Sequence, residues 1–150
     1  MQLTSMSCQL TFREMTIDDV PKLKLDEDWM RDRFITYFKA NTGPAFVIEE
    51  RGKALAAFGA LFEWKWGGPC EVWFNLIENR RTFDVVRMFK RLIVGLAKKY
   101  EVTRMQAIIK CDSKINMRWM KFLGFENETP NGMKKKLPDG RDAYLFARCF

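Results

Sequence analysis

The stretch CEVWFNLIENRRTFDVVRMFKRLIVGLAKKYEVTRMQAIIK, residues 70–110, decides the fold. Residues 70–77 carry Val72, Trp73, Phe74 and Ile77, branched and aromatic side chains that suit a strand. From about residue 82 to 100 the period changes. Val85, Phe89, Leu92, Ile93, Leu96 and Tyr100 fall on one stripe of a helix, and Arg87, Lys90, Arg91 and Lys98 take the other side. Residues 104–110 then read as a buried strand. Strand, long amphipathic helix and strand together predict a crossover in which the helix covers a sheet.

Upstream, residues 45–50, the turn Arg51-Gly52-Lys53 and the run 54–66 read as a hairpin, and Gly67-Gly68-Pro69 turns the chain into residue 70. Residues 28–40 repeat the helical pattern with Trp29, Phe34 and Phe38 toward a core, stopped by Asn41-Thr42-Gly43-Pro44. Before them, residues 10–16 suit a first strand; Thr16, Asp18 and Asp19 supply capping groups, and Pro21 sits in the first turn of a short helix reaching about Leu25. Downstream, residues 113–123 read as a helix with Ile115, Trp119 and Phe122 inward. Gly124-Phe125 leads to a short strand, and residues 142–150 form the last one. The segment 129–141, with Pro130, Asn131-Gly132, Pro138-Asp139-Gly140 and the run Lys134, Lys135, Lys136, is a turn-rich loop.

The predicted order is strand, two helices, three strands, long helix, strand, helix and two strands, within one domain over residues 1–150. The 150 residues are enough to bury a core without disulfides or a structural metal. With 47% hydrophobic and 30% charged residues the balance is that of a folded globular protein.

There is no histidine, which excludes Ser-His-Asp and Cys-His nucleophile systems, His-ligated metals and a histidine pH switch. The four cysteines, Cys8, Cys70, Cys111 and Cys149, form no CxxC pair and read as free thiols of a reducing, cytoplasmic protein. Residues 1–8 lack the pattern of a secretory leader, and the apolar run 54–62 is too short to span a bilayer, so no membrane partner is expected. Charge is uneven: residues 76–150 carry 17 Lys and Arg against 8 Asp and Glu, and residues 1–75 carry 9 against 11. The basic half predicts an anionic partner.

The element order and two local sequences resemble the GNAT superfamily of acyl-CoA-dependent N-acyltransferases over essentially the whole chain. One is Phe12-Arg13-Glu14-Met15-Thr16-Ile17-Asp18-Asp19-Val20, similar to the family's opening strand and cap. The other is Lys121-Phe122-Leu123-Gly124-Phe125, similar to the end of its late helix. The resemblance implies an α/β (α+β) fold: a mixed, mostly antiparallel sheet of about seven strands flanked by about four helices.

It also implies a site. In the family a basic, glycine-rich loop before the long helix holds the CoA pyrophosphate on backbone N–H groups at the helix N-terminus. The matching residues here are Arg80, Arg81, Thr82, Phe83, Asp84 and Val85, in which Phe83 and Val85 replace small residues and Asp84 adds a carboxylate. Leu76 and Ile77 end the strand whose backbone would pair with pantetheine, and Ser113 stands where the family often has Asn. Met120 occupies the position of the tyrosine that protonates the departing thiolate, so that water or Cys111 would have to serve. Glu71 and Glu78, with Glu63 across the hairpin, are the candidate bases for the amine. Trp64, Trp66, Trp73 and Phe74 lie beside the expected acceptor region.

The implied reaction is transfer of an acetyl group from acetyl-CoA, the co-substrate, to an amine acceptor, with no metal. The alternative is a catalytically inactive protein of the same fold with an assembly role. Small proteins of tailed-phage structural gene clusters are similar, with a Trp-Phe strand and a glycine-free basic loop, which would place this chain in a virion. A protein partner is then expected through the basic half, and nucleic acid is not, since no reading helix or stacking motif is present.

Overall fold

The computed structural model describes residues 9–25, 28–64 and 67–150. Cys8, Trp66 and the side chain of Trp29 lie outside the described residues. β1 (Thr11–Glu14) leads through a 3-10 helix (Ile17–Lys22) to α1 (Asp28–Ala40). Next come β2 (Ala45–Glu50), β3 (Lys53–Phe62), β4 (Gly68–Leu76) and α2 (Thr82–Lys99). β5 (Val102–Lys110), α3 (Lys114–Phe122), β6 (Glu126–Asn127) and β7 (Ala143–Cys149) follow. The seven strands form one sheet in the order β1-β2-β3-β4-β5-β7-β6. β4 and β5 are parallel, as a crossover through α2 requires; the β1–β2, β2–β3, β5–β7 and β6–β7 pairs are antiparallel. This is the mixed α+β architecture expected from the order of elements.

The chain packs as two compact units, Met1–Gly59 with Phe74–Met88, and Ala60–Trp73 with Phe89–Phe150. In the first, Arg51 and Gly52 both have positive φ (50° and 76°) and make the tight turn between β2 and β3. Val47, Ile48, Leu55, Phe58, Val85 and Val86 are its largest fully buried apolar side chains. Arg13 on the edge strand β1 donates from Nε to Glu49 and from both terminal nitrogens to Asp19, each at 2.8 Å. Asp19, 1% exposed, also accepts from the Thr16 N–H and from Lys22. The Arg13 guanidinium holds the Asp19 carboxyl well below the usual carboxylate range, against the opposing effect of burial.

In the second unit, α3 ends in a two-bond cap: Phe125 N–H donates to Met120 O and Gly124 N–H to Lys121 O. Gly124 has φ +87°, which a side chain resists, and Met120 and Phe125 are both buried. The Leu-Gly-Phe motif is thus a helix stop with an apolar clasp. Gly67 is required for space, since a Cβ there would lie 2.7 Å from the Glu101 carbonyl.

Several expectations are corrected. The first helix is 3-10 and ends at Lys22 rather than about Leu25: Leu23 still donates its N–H to Val20 O, but its own backbone is already extended (φ −64°, ψ 135°). β3 stops at Phe62, and Gly68 and Pro69 belong to β4 instead of a turn. Ile115 is not inward but 63% exposed, while Met120 and Leu123 are buried. Five residues separate Ile115 from Met120, about 140° around the helix, which puts them on opposed faces. Among the described residues no helix is long and apolar enough to cross a membrane.

Candidate functional site

β4 ends tied to β3, since the N–H groups of Ile77 and Glu78 both donate to Leu55 O, at 2.8 and 3.0 Å. Ile77 is buried and Leu76 half-buried. The chain then reaches α2 through Arg81, whose φ of 52° is a left-handed value that costs a non-glycine residue about 1–2 kcal/mol. Its carbonyl accepts the Val85 N–H at 3.0 Å and so begins the helix. The amides of Thr82, Phe83 and Asp84 are the first-turn donors that an α-helix cannot satisfy internally. Thr82 Oγ1 bonds Asn79 Oδ1 at 3.2 Å and steadies the turn.

The two bulky residues of this turn point in different directions. Val85 has 0% exposure and belongs to the core. Phe83 is 49% exposed, with the Arg87 guanidinium 4.7 Å from its ring centroid.

The arginines do not face open solvent alone. Arg80 Nη2 lies 2.6 Å from Glu50 Oε2, and Arg81 Nη1 donates to Glu50 Oε1 at 2.6 Å. Arg81 Nε also donates to Asp84 Oδ2 at 3.1 Å. Glu50 is the last residue of β2, paired with Lys53 across the hairpin, and its side chain is 11% exposed. Hydrogen bonding from Arg81 holds the Glu50 carboxyl below its ordinary value, and the same bond raises Arg81. A carboxylate is therefore already bound between the two guanidiniums. Nothing in the spacing of the sequence marks Glu50, because residues 50 and 80 meet only through strand register.

The other expected residues are distributed as follows. Glu78 pairs with Lys53 at 3.4 Å in the first unit. In the second, Glu71 stands opposite Gln106 in the β4–β5 ladder, and Gln106 Nε2 donates to Glu63 at 3.3 Å. That ladder ends at Glu71, five residues before β4 does. Ser113 precedes α3 and accepts the Met117 N–H on its carbonyl, while its hydroxyl makes no cap bond. Cys70 is fully buried, which pushes its thiol up to about 11, and Cys111 is half-buried. Trp64 is 65% exposed; Trp73 and Phe74 are half-buried.

The basic half divides into two kinds of cation. Lys134 pairs with Asp142 at 3.1 Å, whose other oxygen accepts the Lys135 N–H, so the lysine run is partly folded back. Residues 89–99 and 114–122 contain Lys90, Arg91, Lys98, Lys99, Lys114, Arg118 and Lys121 and no acidic residue. Among the described residues none of these seven forms an ion pair. Lys90 lies instead over the Phe122 ring at 4.5 Å, and Val94 and Ile115 are exposed among the cations.

No family model matches the chain, and no curated protein does. Solved structures are similar over nearly its whole length. The IAA acetyltransferase of Bacillus cereus superposes with a TM-score of 0.77 at 15% identity, covering 95% of this chain and 100% of that one. The ribosomal-protein-S18-alanine N-acetyltransferase of Escherichia coli gives 0.74 at 16% identity, with 94% of each chain covered. The yncA protein of Salmonella typhimurium, whose structure holds acetyl-CoA as its cofactor, gives 0.68 at 16% identity, with 93% of each covered.

Proposed function

We propose that this chain, which has the fold of the GNAT N-acetyltransferases, binds acetyl-CoA as co-substrate and transfers its acetyl group to an amine. The observation that carries the reading is the carboxylate of Glu50 held at 2.6 Å by both Arg80 and Arg81 beside the first turn of α2. It is an internal stand-in for an anion, and it supports a fit between this donor set and a pyrophosphate. Val85, buried, does not obstruct the turn, and Phe83 points outward.

In this reading Arg80 and Arg81, with the amides of Thr82, Phe83 and Asp84, hold the pyrophosphate. Leu76 lies in the part of β4 beyond its ladder with β5, where backbone groups can pair with an extended amide chain. The Ile77 N–H is committed to Leu55 and takes no part. Acetyl-CoA, when bound, supplies an activated thioester. Glu71 or Glu78 accepts the proton of the attacking amine. Met120 has no proton to donate, so the departing thiolate takes one from water.

The test is calorimetry with acetyl-CoA on the full chain. We expect micromolar affinity and a higher melting temperature, equivalent to about 2.7 kcal/mol at one hundred times the dissociation constant. No heat and no thermal shift at millimolar acetyl-CoA would overturn the reading.

A second reading is favoured by the seven cations of residues 89–99 and 114–122, none of which forms an ion pair among the described residues. In it the chain is a catalytically inactive protein of the same fold, of the virion-associated kind, that docks an acidic protein through this face. Failure to bind acetyl-CoA, together with salt-sensitive binding to an acidic protein, would favour it.

A further inference from the structure

We propose that Glu50 is a specificity-determining residue: it is the resident anion of the Arg80–Arg81 seat, and it restricts that seat to ligands carrying at least two negative charges. The inference rests on the acyl-CoA reading, because it concerns the same seat and names what the seat selects.

The seat is made of side chains that three separate pieces of chain bring together. Glu50 arrives at the end of β2, Arg80 and Arg81 from the loop after β4, and Asp84 from the first turn of α2. Two guanidiniums and two carboxylates make up the seat, and Arg51 next to Glu50 in the chain adds a further positive charge that acts on it. Glu50 bridges both arginines, one oxygen to each at 2.6 Å, whereas Asp84 contacts Arg81 alone at 3.1 Å. Glu50 is also the better enclosed of the two, 11% exposed against 46% for Asp84. Its hairpin position is held from both sides, by the antiparallel ladder of β2 with β3 and by the tight turn at Arg51-Gly52.

A tethered carboxylate competes with any incoming anion at a high effective concentration. The apparent affinity of a ligand is then reduced by the fraction of molecules in which the seat is open. A monoanion that displaces Glu50 only exchanges one carboxylate-type contact for another and loses its own freedom of motion. A dianion, such as a pyrophosphate diester, brings a second charge for the second arginine and gains what the monoanion cannot. Glu50 thus lowers affinity for every anion and lowers it most for single charges.

The experiment compares the wild-type chain with Glu50→Gln and Glu50→Asp, using inorganic pyrophosphate, acetate and acetyl-CoA as separate probes in titration calorimetry. Circular dichroism on each variant establishes folding, and Glu50→Asp retains the charge should the amide disturb the hairpin. We expect Glu50→Gln to bind pyrophosphate about tenfold more tightly than wild type and to gain measurable acetate binding. Glu50→Asp, with a shorter reach to both arginines, should fall between. Equal pyrophosphate affinity in wild type and Glu50→Gln overturns the proposal, as does absence of binding in all three proteins. A gain for pyrophosphate with no binding of acetyl-CoA supports the role of Glu50 and overturns the acyl-CoA reading instead.

Discussion

Two cationic regions of this chain look alike in sequence and behave oppositely in space. Arg80 and Arg81 at the head of α2 are clasped by Glu50 and Asp84, and Arg13 on β1 is clasped by Asp19 and Glu49. The cations of residues 89–99 on α2 and 114–122 on α3 have no acidic partner among the described residues. The difference teaches that local charge density says little about what a basic residue faces. Clasped arginines orient chain segments, and an outside anion reaches their charge only in competition with the carboxylates that already hold them. Bare cations on an exposed helix face keep their full field for a partner outside it.

The largest effect that probes this contrast concerns the clasped region's own architecture. Placing glycine at the head of α2 tests whether bulk alone blocks the turn to phosphate. Val85→Gly should destabilise the chain by about 3–4 kcal/mol, since it removes a fully buried side chain and adds a helical glycine. Phe83→Gly should lose about 1 kcal/mol, as an exposed position does. Urea unfolding of both measures the gap, and equal losses would show that Val85 is not a core residue.

Next in size is the removal of one partner from the buried pair. Asp19→Ala removes the acceptor of both Arg13 terminal nitrogens, of Lys22 and of the Thr16 N–H, and should cost about 2–3 kcal/mol, less than a fully buried pair because Arg13 keeps Glu49 and still reaches water. The Asp19 carboxyl is held below its ordinary value in the fold, so the folded protein takes up that proton later than the unfolded chain does. The stabilisation is present at neutral pH and is lost as the pH falls below about 4. Melting temperatures at neutral and acid pH check the sign: wild type should drop more than Asp19→Asn, and parallel curves would remove Asp19 as the cause.

The smallest effect on stability belongs to the bare face. Changing Lys90, Arg91, Lys114, Arg118 and Lys121 together to Gln should alter stability by no more than about 0.5 kcal/mol per site. With duplex DNA as a polyanion probe, the same change should cut the slope of log affinity against log salt by up to about 4.5 units, at roughly 0.9 per contact. Arg80→Gln with Arg81→Gln should change that slope by less than about one unit. If the two sets of variants behave alike in a salt titration, the contrast between clasped and bare cations fails.

Much of this molecule was legible one segment at a time. The period change at about residue 82 located α2 and most of its buried face, and the Leu-Gly-Phe sequence located the end of α3. Both depend on side chains a few residues apart, where helix geometry relates sequence directly to position. On α3, Trp119 and Phe122 are half-buried as the pattern predicts, and Ile115, apolar but close to the helix start, is the one that departs from it. Periodicity over nine residues has few turns with which to outvote one side chain.

What the sequence alone determined is the order and type of the elements, the absence of histidine chemistry, and the concentration of positive charge after residue 76. Tertiary structure alone decided which of those charges are neutralised. Glu50 reaches Arg80 and Arg81 across about thirty positions, and Asp19 turns back on Arg13 through the 3-10 helix. Ion pairing needs charged atoms within about 4 Å, and such contacts between distant segments follow from strand register and loop path, which local patterns do not encode.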